Sequence, residues 1–385
     1  MSKKVFGPDE VKEKVAVVIG TRPGIVMLAP VVRALTRSGS SFFVVHTGQH
    51  YSPNMDAQFF EDLAVPQPAY RLEGVSEKTS HGGQTALMLE GMESVFAEER
   101  PRLVLVGGDA NTNLAGALAA RKLGLGVAHV EAGERSFDWR MPEEHNRRMI
   151  DHISDLLFTS GPKGADNLRR ESVQGRIVET GNPIVDASRQ HAEFAREKSG
   201  IFRELGVNAG DYAVLTTHRE ENVDFPGNLR GSLAGVSAAA CELGVPVIFP
   251  VHPRTRKRLG EFGLSSWAED LPGLRLIDAV GYLDFMRLVV GSRLVFTDSG
   301  GVQQEACIHH VPCVTLRENT EWTETLEIGA NRLAGTAPER IRSAASEAAN
   351  RRSDWPIPFG DGKAAERIVD ASIQYVTEMR KSNHE

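Results

Sequence analysis

Carboxylate side chains follow predicted strands in the N-terminal half of the chain. Asp109 comes after the apolar run LVLVGG, and Glu131 ends the next run, VAHV. Glu143 and Glu144 fall in the first turn of a helix predicted to start at Pro142. The helix dipole accounts for these two glutamates, whereas nothing local requires an acid at position 109 or 131. Three acids that converge on one site predict proton transfer, with roles set by pKa values that their surroundings push apart.

The C-terminal half carries an anion-binding pattern, RLVFTDSGGVQQEA. A strand ends before Ser299, Gly300 and Gly301, and a helix is predicted to begin at Val302. Two glycines let the backbone approach a ligand closely, and free N–H groups at a helix start attract an anion. Glu305, one turn into this helix, would lie beside such an anion and could bind sugar hydroxyls. A turn capped by Ser299, with no ligand, accounts for the same residues equally well.

Basic side chains follow other predicted strands. His218 comes after YAVLTT, and His252 and Arg254 come after VPVIFPV in the segment HPRTRKRL. A histidine can act as an acid, a base or a phosphate donor at neutral pH, and a local basic cluster suits a phosphate. A structural histidine and a solvated basic helix face are the alternatives. Arg22 follows the first strand, in a loop that lacks the G-x-G-x-x-G spacing of a dinucleotide site.

These residues must be positioned by short apolar runs that alternate with amphipathic segments. The runs are VAVVI (15–19), FFVVHT (42–47), RLVLVGG (102–108), VAHVEAG (127–133), LLFTS (156–160), RIVETG (176–181), YAVLTT (212–217), VPVIFPV (245–251), LRLIDA (274–279), RLVFTDSG (293–300) and VPCVTL (311–316). Continuous β-branched runs are typical of parallel strands covered by helices on both faces.

The sequence therefore predicts an α/β fold with two doubly wound, Rossmann-like domains that face a central cleft. We expect the first domain over residues 1–180 and the second over 181–361. A closing helix over 362–385 is expected to pack back on the first domain. The ends of parallel strands line the binding sites of such sheets, so the cleft is the expected ligand site.

Composition narrows the classes of partner. The chain has 385 residues, enough for two domains, and a formal net charge of −7, which argues against a nucleic-acid partner. No apolar run has the length that a membrane span needs, and the polar N-terminus does not resemble a signal peptide. Cys241, Cys307 and Cys313 lack C-x-x-C spacing, which suits a reducing cytoplasm and no zinc site.

Several motifs resemble those of one known family, the non-hydrolysing UDP-N-acetylglucosamine 2-epimerases, which have a glycosyltransferase-B-like fold. The matching stretches are GTRP (20–23), HTGQHY (46–51), GGDANTNLAGALAA (107–120), HVEAG (129–133), PEEHNRRMIDH (142–152), GNPIVDA (181–187), THREEN (217–222), DSGGVQQEA (298–306) and RENTEW (317–322). They occur in the family's order and extend over nearly the whole chain.

The resemblance implies a role for each matching position. The implied catalytic residues are Asp109, Glu131 and Glu143, with His218 and Arg22 at the diphosphate. The implied nucleotide contacts are Ser299, Gly300, Gly301, Glu305, Arg317 and Phe285, the last in the uracil-binding stretch GYLDF (281–285). The likeness further implies a homodimer and a role in supplying a polysaccharide precursor.

The implied reaction is inversion at C2 of UDP-N-acetylglucosamine. It proceeds by anti elimination of the nucleotide to a 2-acetamidoglucal and re-addition, with two proton-transfer groups on opposite faces and neither a metal nor a nicotinamide cofactor. Three rivals are a hydrolysing 2-epimerase that releases N-acetylmannosamine and UDP, a glycosyltransferase of the same fold, and an inactive nucleotide-sugar sensor.

The first loop departs from the family's pattern G-T-R-P-E-x-I-K. Gly24 stands where the family has glutamate, and Met27 stands where it has an active-site lysine. Methionine carries no charge and donates no hydrogen bond. We therefore expect an altered substrate, such as a 2,3-diacetamido uronic acid or another modified sugar, or another nucleotide. Glu134, in place of a leucine, also indicates a changed sugar pocket. Replacement of the charge by a nearby arginine, weakened activity, and simple packing by methionine are the alternatives.

Overall fold

The computed structural model describes residues 6, 11–49, 59–351 and 353–381. The chain divides into two compact units. One contains the described residues up to 187 and from 359 onwards, and the other contains residues 188–358. Each unit is built on its own parallel sheet.

Seven described strands form the sheet of the first unit, in the order β3-β2-β1-β4-β5-β6-β7. The strands are β1 Lys12–Ile19, β2 Phe42–His46, β3 Tyr70–Arg71, β4 Pro101–Gly107, β5 Gly126–Val130, β6 Leu156–Thr159 and β7 Arg176–Glu179. The helices with both ends described are α1 Arg22–Ser38, α2 His81–Glu99, α3 Asn111–Lys122, α4 Pro142–Ile153, α5 Pro162–Arg170, α6 Pro183–Lys198, which continues into the second unit, and α16 Ala364–Lys381.

Six described strands form the sheet of the second unit, in the order β10-β9-β8-β11-β12-β13. The strands are β8 Ala213–Thr216, β9 Val247–Pro250, β10 Leu274–Ile277, β11 Val295–Thr297, β12 Cys313–Thr315 and β13 Asn331–Leu333. The helices are α7 Ile201–Leu205, α8 Glu220–Val223, α9 Pro226–Leu243, α10 Pro253–Glu261, α11 Ser265–Glu269, α12 Tyr282–Gly291, α13 Gly300–Ile308, α14 Thr323–Glu327 and α15 Pro338–Ala349.

Every strand pairing in both sheets is parallel. Buried apolar strands at the centre, such as β4, carry the core, as expected for sheets covered on both faces. The predicted α/β class with two doubly wound sheets is thus confirmed. The sequence reading missed β3 and β13, because these edge strands are only two and three residues long and include no continuous buried apolar run.

The strand order places the predicted site residues at the carboxyl edges of the sheets. Strand order reverses between β1 and β4 in the first sheet and between β8 and β11 in the second. Loops that diverge at such a reversal leave a crevice where ligands bind. The four strands at these two reversals end two or three residues before Arg22, Asp109, His218 and Ser299.

The division between the units falls after Ala187, inside α6, and not after residue 180 as the sequence suggested. Hydrogen bonds hold the start of α6 within the first unit. The Asn182 N–H donates to the Phe359 carbonyl at 2.8 Å, and the Asp186 carboxylate accepts the N–H groups of Ala364 and Ala365 at 3.2 and 3.0 Å. The closing helix α16 contacts α1, β1 and β4 of the same unit.

Among the described residues, no helix is both long enough and apolar enough to span a bilayer.

Candidate active site

The turn after β4 is the centre of the first unit's candidate site. Gly108 has a φ of +81°, a left-handed conformation that glycine adopts without strain. Asn113, from the first turn of α3, holds the turn from both sides of Gly107: its amide donates to the Gly107 carbonyl at 2.6 Å and accepts the Gly107 N–H at 3.3 Å. This bracing fixes the backbone from which the Asp109 side chain projects.

Asp109 is bound by an arginine of α4. The Nη2 and Nε groups of Arg147 donate to Asp109 Oδ2 at 2.6 and 3.0 Å, and the Asn146 amide donates to the Asp109 carbonyl at 2.8 Å. The Asp109 side chain keeps 34% of its surface exposed. Asp109 is therefore an anchored carboxylate that still reaches solvent.

Glu131 has a contrasting environment. It follows β5 with a φ of +65°, a conformation that is uncommon outside glycine and that is concentrated at functional sites. Burial raises the pKa of its carboxyl above the ordinary glutamate range, and the neighbouring Asp109 adds to the rise. The amide of Asn182 opposes this by donating to Oε1 at 2.7 Å. The two neighbouring acids thus have different surroundings, and burial favours the protonated form of Glu131.

Met27 lies near Glu131. Its side chain is 6% exposed, and its methyl carbon packs against the Gly107–Gly108 backbone. A Cβ placed on Gly108 would lie 3.6 Å from Met27 Cε and 3.5 Å from Glu131 Oε2. The methionine is both a packing residue of α1 and a neighbour of the candidate proton-transfer group.

The adjacent glutamates of α4 have different surroundings. Glu144 is fully buried and accepts hydrogen bonds from the Ser136 N–H and hydroxyl at 2.8 and 2.9 Å, and from Arg147 and Arg148. Burial alone would raise its pKa, but these donors hold it below the ordinary range. Glu143 is half-buried and has no side-chain partner in the described part of the chain. Glu143 is therefore the more accessible of the two glutamates.

Arg22 begins α1 and is exposed. The loop before it is shaped by Gly20, because a Cβ there would overlap the hydroxyls of Thr47 and Thr112. Those hydroxyls lie 2.8 Å apart, and Gln49 accepts the Thr112 N–H at 2.9 Å. The described contacts link this loop to the end of β2 and the start of α3.

Asp298 organises the second unit's candidate site, and the sequence reading did not single it out. This fully buried carboxylate directly follows β11. It accepts the Thr217 hydroxyl at 2.7 Å, the backbone N–H groups of His218 and Arg219 at 2.9 and 3.0 Å, and the Asn222 amide at 3.1 Å. The loop T-H-R-E-E-N is therefore fixed in shape by one acid.

The start of α13 has the geometry of an anion site. The helix begins at Gly300, two residues before the predicted start, so both glycines belong to its first turn. Ser299 occupies the cap position, yet its side chain makes no capping hydrogen bond, which leaves the first helical N–H groups for a ligand. A Cβ on Gly300 would overlap the Glu321 carboxylate, whereas a Cβ on Gly301 would meet open space.

Arg317 lies beside this helix start and has only 11% of its side chain exposed. Its Nη1 group donates to Glu321 Oε2 at 2.8 Å, and Arg219 lies 3.4 Å from the other oxygen of the same carboxylate. Two guanidinium groups are thereby held close to the Ser299–Gly301 turn.

Glu305 is buried behind the helix start. Burial raises the pKa of its carboxyl to about 7. The Tyr282 hydroxyl donates to Oε1 at 3.1 Å and lies 3.2 Å from His191 Nδ1. Phe285, one turn along α12, is partly buried and packs against two apolar clusters of the second unit.

His218 and His252 adjoin one another, with ring centroids 5.1 Å apart. His252 caps α10 by accepting the Arg254 N–H on Nδ1 at 3.2 Å. The Arg254 guanidinium donates to Asp224 at 2.6 Å and to Glu220 at 3.0 Å. These ion pairs give Arg254 a bracing function within the loop, and its predicted phosphate contact stays a prediction.

Among the described residues, no three His, Cys, Asp or Glu side chains are grouped closely enough to hold a metal ion.

A sequence profile described as UDP-N-acetylglucosamine 2-epimerase matches residues 33–372. The chain belongs to the UDP-N-acetylglucosamine 2-epimerase family. A UDP-N-acetylglucosamine 2-epimerase from Methanocaldococcus jannaschii is 46% identical to this family member over 359 residues, which are 92% of this chain and 98% of the relative. A UDP-2,3-diacetamido-2,3-dideoxy-D-glucuronate 2-epimerase from Pseudomonas aeruginosa is 39% identical over 362 residues, or 93% and 98% of the two chains.

The fold of this 2-epimerase family member matches a solved structure of the same family. The crystal structure of the M. jannaschii enzyme in complex with UDP-GlcNAc and UDP has a TM-score of 0.84 and 45% identity, and the match covers 94% of this chain and 99% of that one. The glycosyltransferase-B-like class with two Rossmann-like domains is confirmed.

The sequence alone did not single out several residues that shape the candidate site. They are Asn182, which donates to Glu131, the α4 residues Arg147, Arg148 and Asp151, the buried His129, and Asp298. In the sequence the helix dipole accounts for Glu144, whereas the structure buries it in an ion-pair network. One signal was readable: positions 144, 147, 148 and 151 have the i, i+3, i+4, i+7 spacing of one helix face. An all-charged face at this spacing indicates a buried ionic network when its helix packs on a sheet.

Proposed function

We propose that this chain inverts C2 of a UDP-linked N-acetyl amino sugar and interconverts UDP-N-acetylglucosamine and UDP-N-acetylmannosamine without releasing free sugar. The observation that carries the proposal is the pairing of Asp109, anchored by Arg147, with Glu131, whose pKa is raised by burial. Two neighbouring acids, one anchored and partly exposed and the other with its pKa raised by burial, suit a reaction that removes a proton on one face and returns it on the other.

In the elimination half, one carboxylate removes the C2 proton. The electrons of the C2–H bond form the C1=C2 double bond of a 2-acetamidoglucal, and the electrons of the C1–O bond leave with UDP. In the addition half, a UDP oxygen re-forms the bond to C1, and a second carboxyl group donates its proton to C2 from the opposite face. The first acid ends protonated and the second ionised, so both exchange protons with water before the next turnover.

The two environments support an assignment of roles. Asp109 accepts two N–H groups of Arg147 on Oδ2, which orient its carboxylate for the removal of the C2 proton that begins the elimination. Burial favours the protonated form of Glu131, which suits the group that completes the addition when UDP-N-acetylglucosamine is the substrate. Glu143, without a described partner, is the third acid and a candidate to relay protons to water.

The second unit supplies the nucleotide contacts in this proposal. The diphosphate would bind at the start of α13, where Ser299, Gly300 and Gly301 offer donors, with His218 and Arg317 beside them. Fixed donors around the leaving diphosphate assist departure from C1, because they stabilise the charge that develops there. Glu305 would accept the ribose hydroxyls. Three unpaired cysteines suit a cytoplasmic setting for the enzyme.

A single incubation tests the reaction. The protein is mixed with UDP-N-acetylglucosamine in deuterated water, without an acceptor, and the products are followed by proton NMR. We expect UDP-N-acetylmannosamine with deuterium at C2 and an intact bond to UDP. A parallel incubation with UDP-2,3-diacetamido-2,3-dideoxyglucuronate tests whether the protein, with Met27 in place of the family's lysine, acts on a modified sugar.

Each other outcome has a definite meaning. Free N-acetylmannosamine together with UDP indicates the hydrolysing reaction and contradicts intact re-addition. Turnover of the uronate alone keeps C2 inversion but changes the sugar. No exchange at C2 with either substrate refutes the proposal and favours the inactive nucleotide-sugar sensor. The Asp109→Asn variant serves as the control for exchange that does not depend on the enzyme's acids.

A further inference from the structure

His129 is a fully buried histidine in β5, one strand away from the Gly108–Asp109 turn. Its Nδ1 atom lies 2.7 Å from Asp151 Oδ1, and its Nε2 atom lies 3.1 Å from the Gly108 carbonyl oxygen. The ring therefore spans the distance between α4 and the turn that presents Asp109.

Both partners of the ring accept hydrogen bonds and neither has a proton to donate. A backbone carbonyl is an acceptor only. The Asp151 carboxylate already accepts the Gly133 N–H at 3.1 Å and the Arg135 Nη2 group at 2.7 Å. Burial alone would raise the pKa of Asp151, but His129 and Arg135 hold it below the ordinary range. A neutral imidazole has one N–H and would face one of these acceptors with a lone pair.

We propose that His129 is a permanent imidazolium, which fixes the Gly108–Asp109 turn and places a positive charge beside Glu131, and that it is thereby a positioning residue for the proposed epimerisation.

The charges around His129 alternate along one continuous chain of ion pairs. Beginning from His129, the chain runs through Asp151, Arg135, Glu171, Arg148, Glu144 and Arg147 to Asp109. It contains four cations and four anions, so the cluster is neutral as a whole. If His129 were neutral, the cluster would keep one uncompensated negative charge, which is costly where Asp151 is fully buried.

This series of ion pairs begins and ends at the same turn, Gly108–Asp109. Its first member holds the carbonyl of Gly108, and its last member is the carboxylate of the next residue, Asp109. The two ends of one ion-pair network therefore hold the turn, at the Gly108 carbonyl oxygen and at the Asp109 carboxylate. A planar ring with donors at opposite edges is suited to bridge a carbonyl and a carboxylate, which a lysine ammonium could not do with fixed geometry.

The imidazolium also acts on Glu131. Burial and the charge of Asp109 favour the protonated form of Glu131, whereas the Asn182 amide, Arg147 and His129 favour the ionised form. A neutral residue at position 129 would therefore raise the pKa of Glu131. Whether Glu131 acts ionised or protonated, the limb of the pH–rate profile that it controls moves to higher pH.

The first test uses the unmodified protein and no substrate. In nitrogen-15 NMR of protein labelled at histidine, His129 should show two protonated ring nitrogens across roughly pH 6–9. His309 is the internal control: its Nε2 lies 2.9 Å from the Ser188 hydroxyl, and burial lowers its pKa, so it should appear neutral. One bare nitrogen on His129, or a titration in this range, overturns the inference whether or not the protein is an epimerase.

The second test uses two variants and rests on the proposed function. His129→Gln should lower kcat about tenfold through misplacement of the turn and move the affected limb up by about one pH unit. Asp151→Asn offers an amide donor to Nδ1, so His129 should become titratable by NMR. The control His309→Gln should leave the pH profile in place. A His129→Gln enzyme with the original profile overturns the charge effect, and if that variant does not fold, the NMR of the unmodified protein decides.

Discussion

Replacement of Met27 by lysine should move the pH–rate profile of this protein. The methyl carbon of Met27 and Glu131 Oε2 both lie within 3.6 Å of the point that a Cβ on Gly108 would occupy. These two atoms are therefore no more than about 7 Å apart, and a lysine side chain is one atom longer. A unit charge at about 7 Å interacts with a carboxylate by about 2 kcal/mol at an effective dielectric constant of about 20.

An interaction of that size corresponds to between one and two pKa units. Because the ammonium loses part of its hydration in a buried site, we expect the smaller value, about one unit. The sign follows from charge: a cation stabilises ionised Glu131 and lowers its pKa. The limb of the kcat/KM profile that Glu131 controls should move down by about one pH unit in Met27→Lys.

The assay is the pH dependence of kcat/KM for UDP-N-acetylglucosamine, measured for Met27→Lys and for Met27→Gln. Glutamine matches methionine in length and adds polarity without charge, so its profile should keep the original limb. Thermal melts confirm that both variants are folded. The reasoning is refuted if the lysine variant is folded and keeps the original profile, with kcat and KM within about twofold of the parent.

Three further predictions concern matched positions. E144Q should lower the free energy of unfolding by about 3 kcal/mol because it breaks a buried ion-pair cluster. E143Q should lower kcat and change the melting curve no more than a surface substitution does. Equal melting curves for the two variants would contradict this prediction. The pKa of Glu305 is raised to about 7, so the folded state binds its proton more tightly and stability falls as pH rises from about 4.5 to about 7. The stability of E305Q should not show this pH dependence. The unfolding free energy of E305Q minus that of the parent should therefore rise by about 3 kcal/mol between low and high pH, which urea unfolding at both pH values measures. G300A should weaken UDP binding about tenfold or more, because the added methyl group displaces the Glu321 carboxylate. G301A adds a methyl group in open space, so it should weaken UDP binding only by blocking the ligand. Scanning calorimetry without UDP separates the two effects, and a G300A variant that is more stable than the parent would count against the packing argument.

Much of the fold was readable because strand burial leaves a direct mark on sequence. Eleven apolar runs predicted strands, and each coincides with one. The two missed strands, β3 and β13, lie at sheet edges, where few residues pair and few are buried. Helix starts were less exact: α13 begins at Gly300, since glycines that read as a loop form its first turn.

The site was readable only as far as strand ends determine it. Asp109, His218 and Ser299 follow strands at the reversals of the two sheets, which their positions in the sequence predicted. Partners distant in sequence were not predictable. Asn182 reaches Glu131 from 51 residues away, and Asp298 binds the loop after β8 from about 80 residues away.

By itself, the sequence of this protein determined its two parallel sheets, the residues at their carboxyl edges and its membership of a family, because these depend on local hydrophobic runs and contiguous motifs. Only the tertiary structure decided which of two adjacent glutamates is buried, since that depends on the face of α4 that packs inward. It also decided that Met27 lies near Glu131 and that His129 bridges two acceptors. Proton affinities follow from such neighbours, and neighbours from different strands are brought together by the sheet and not by the chain.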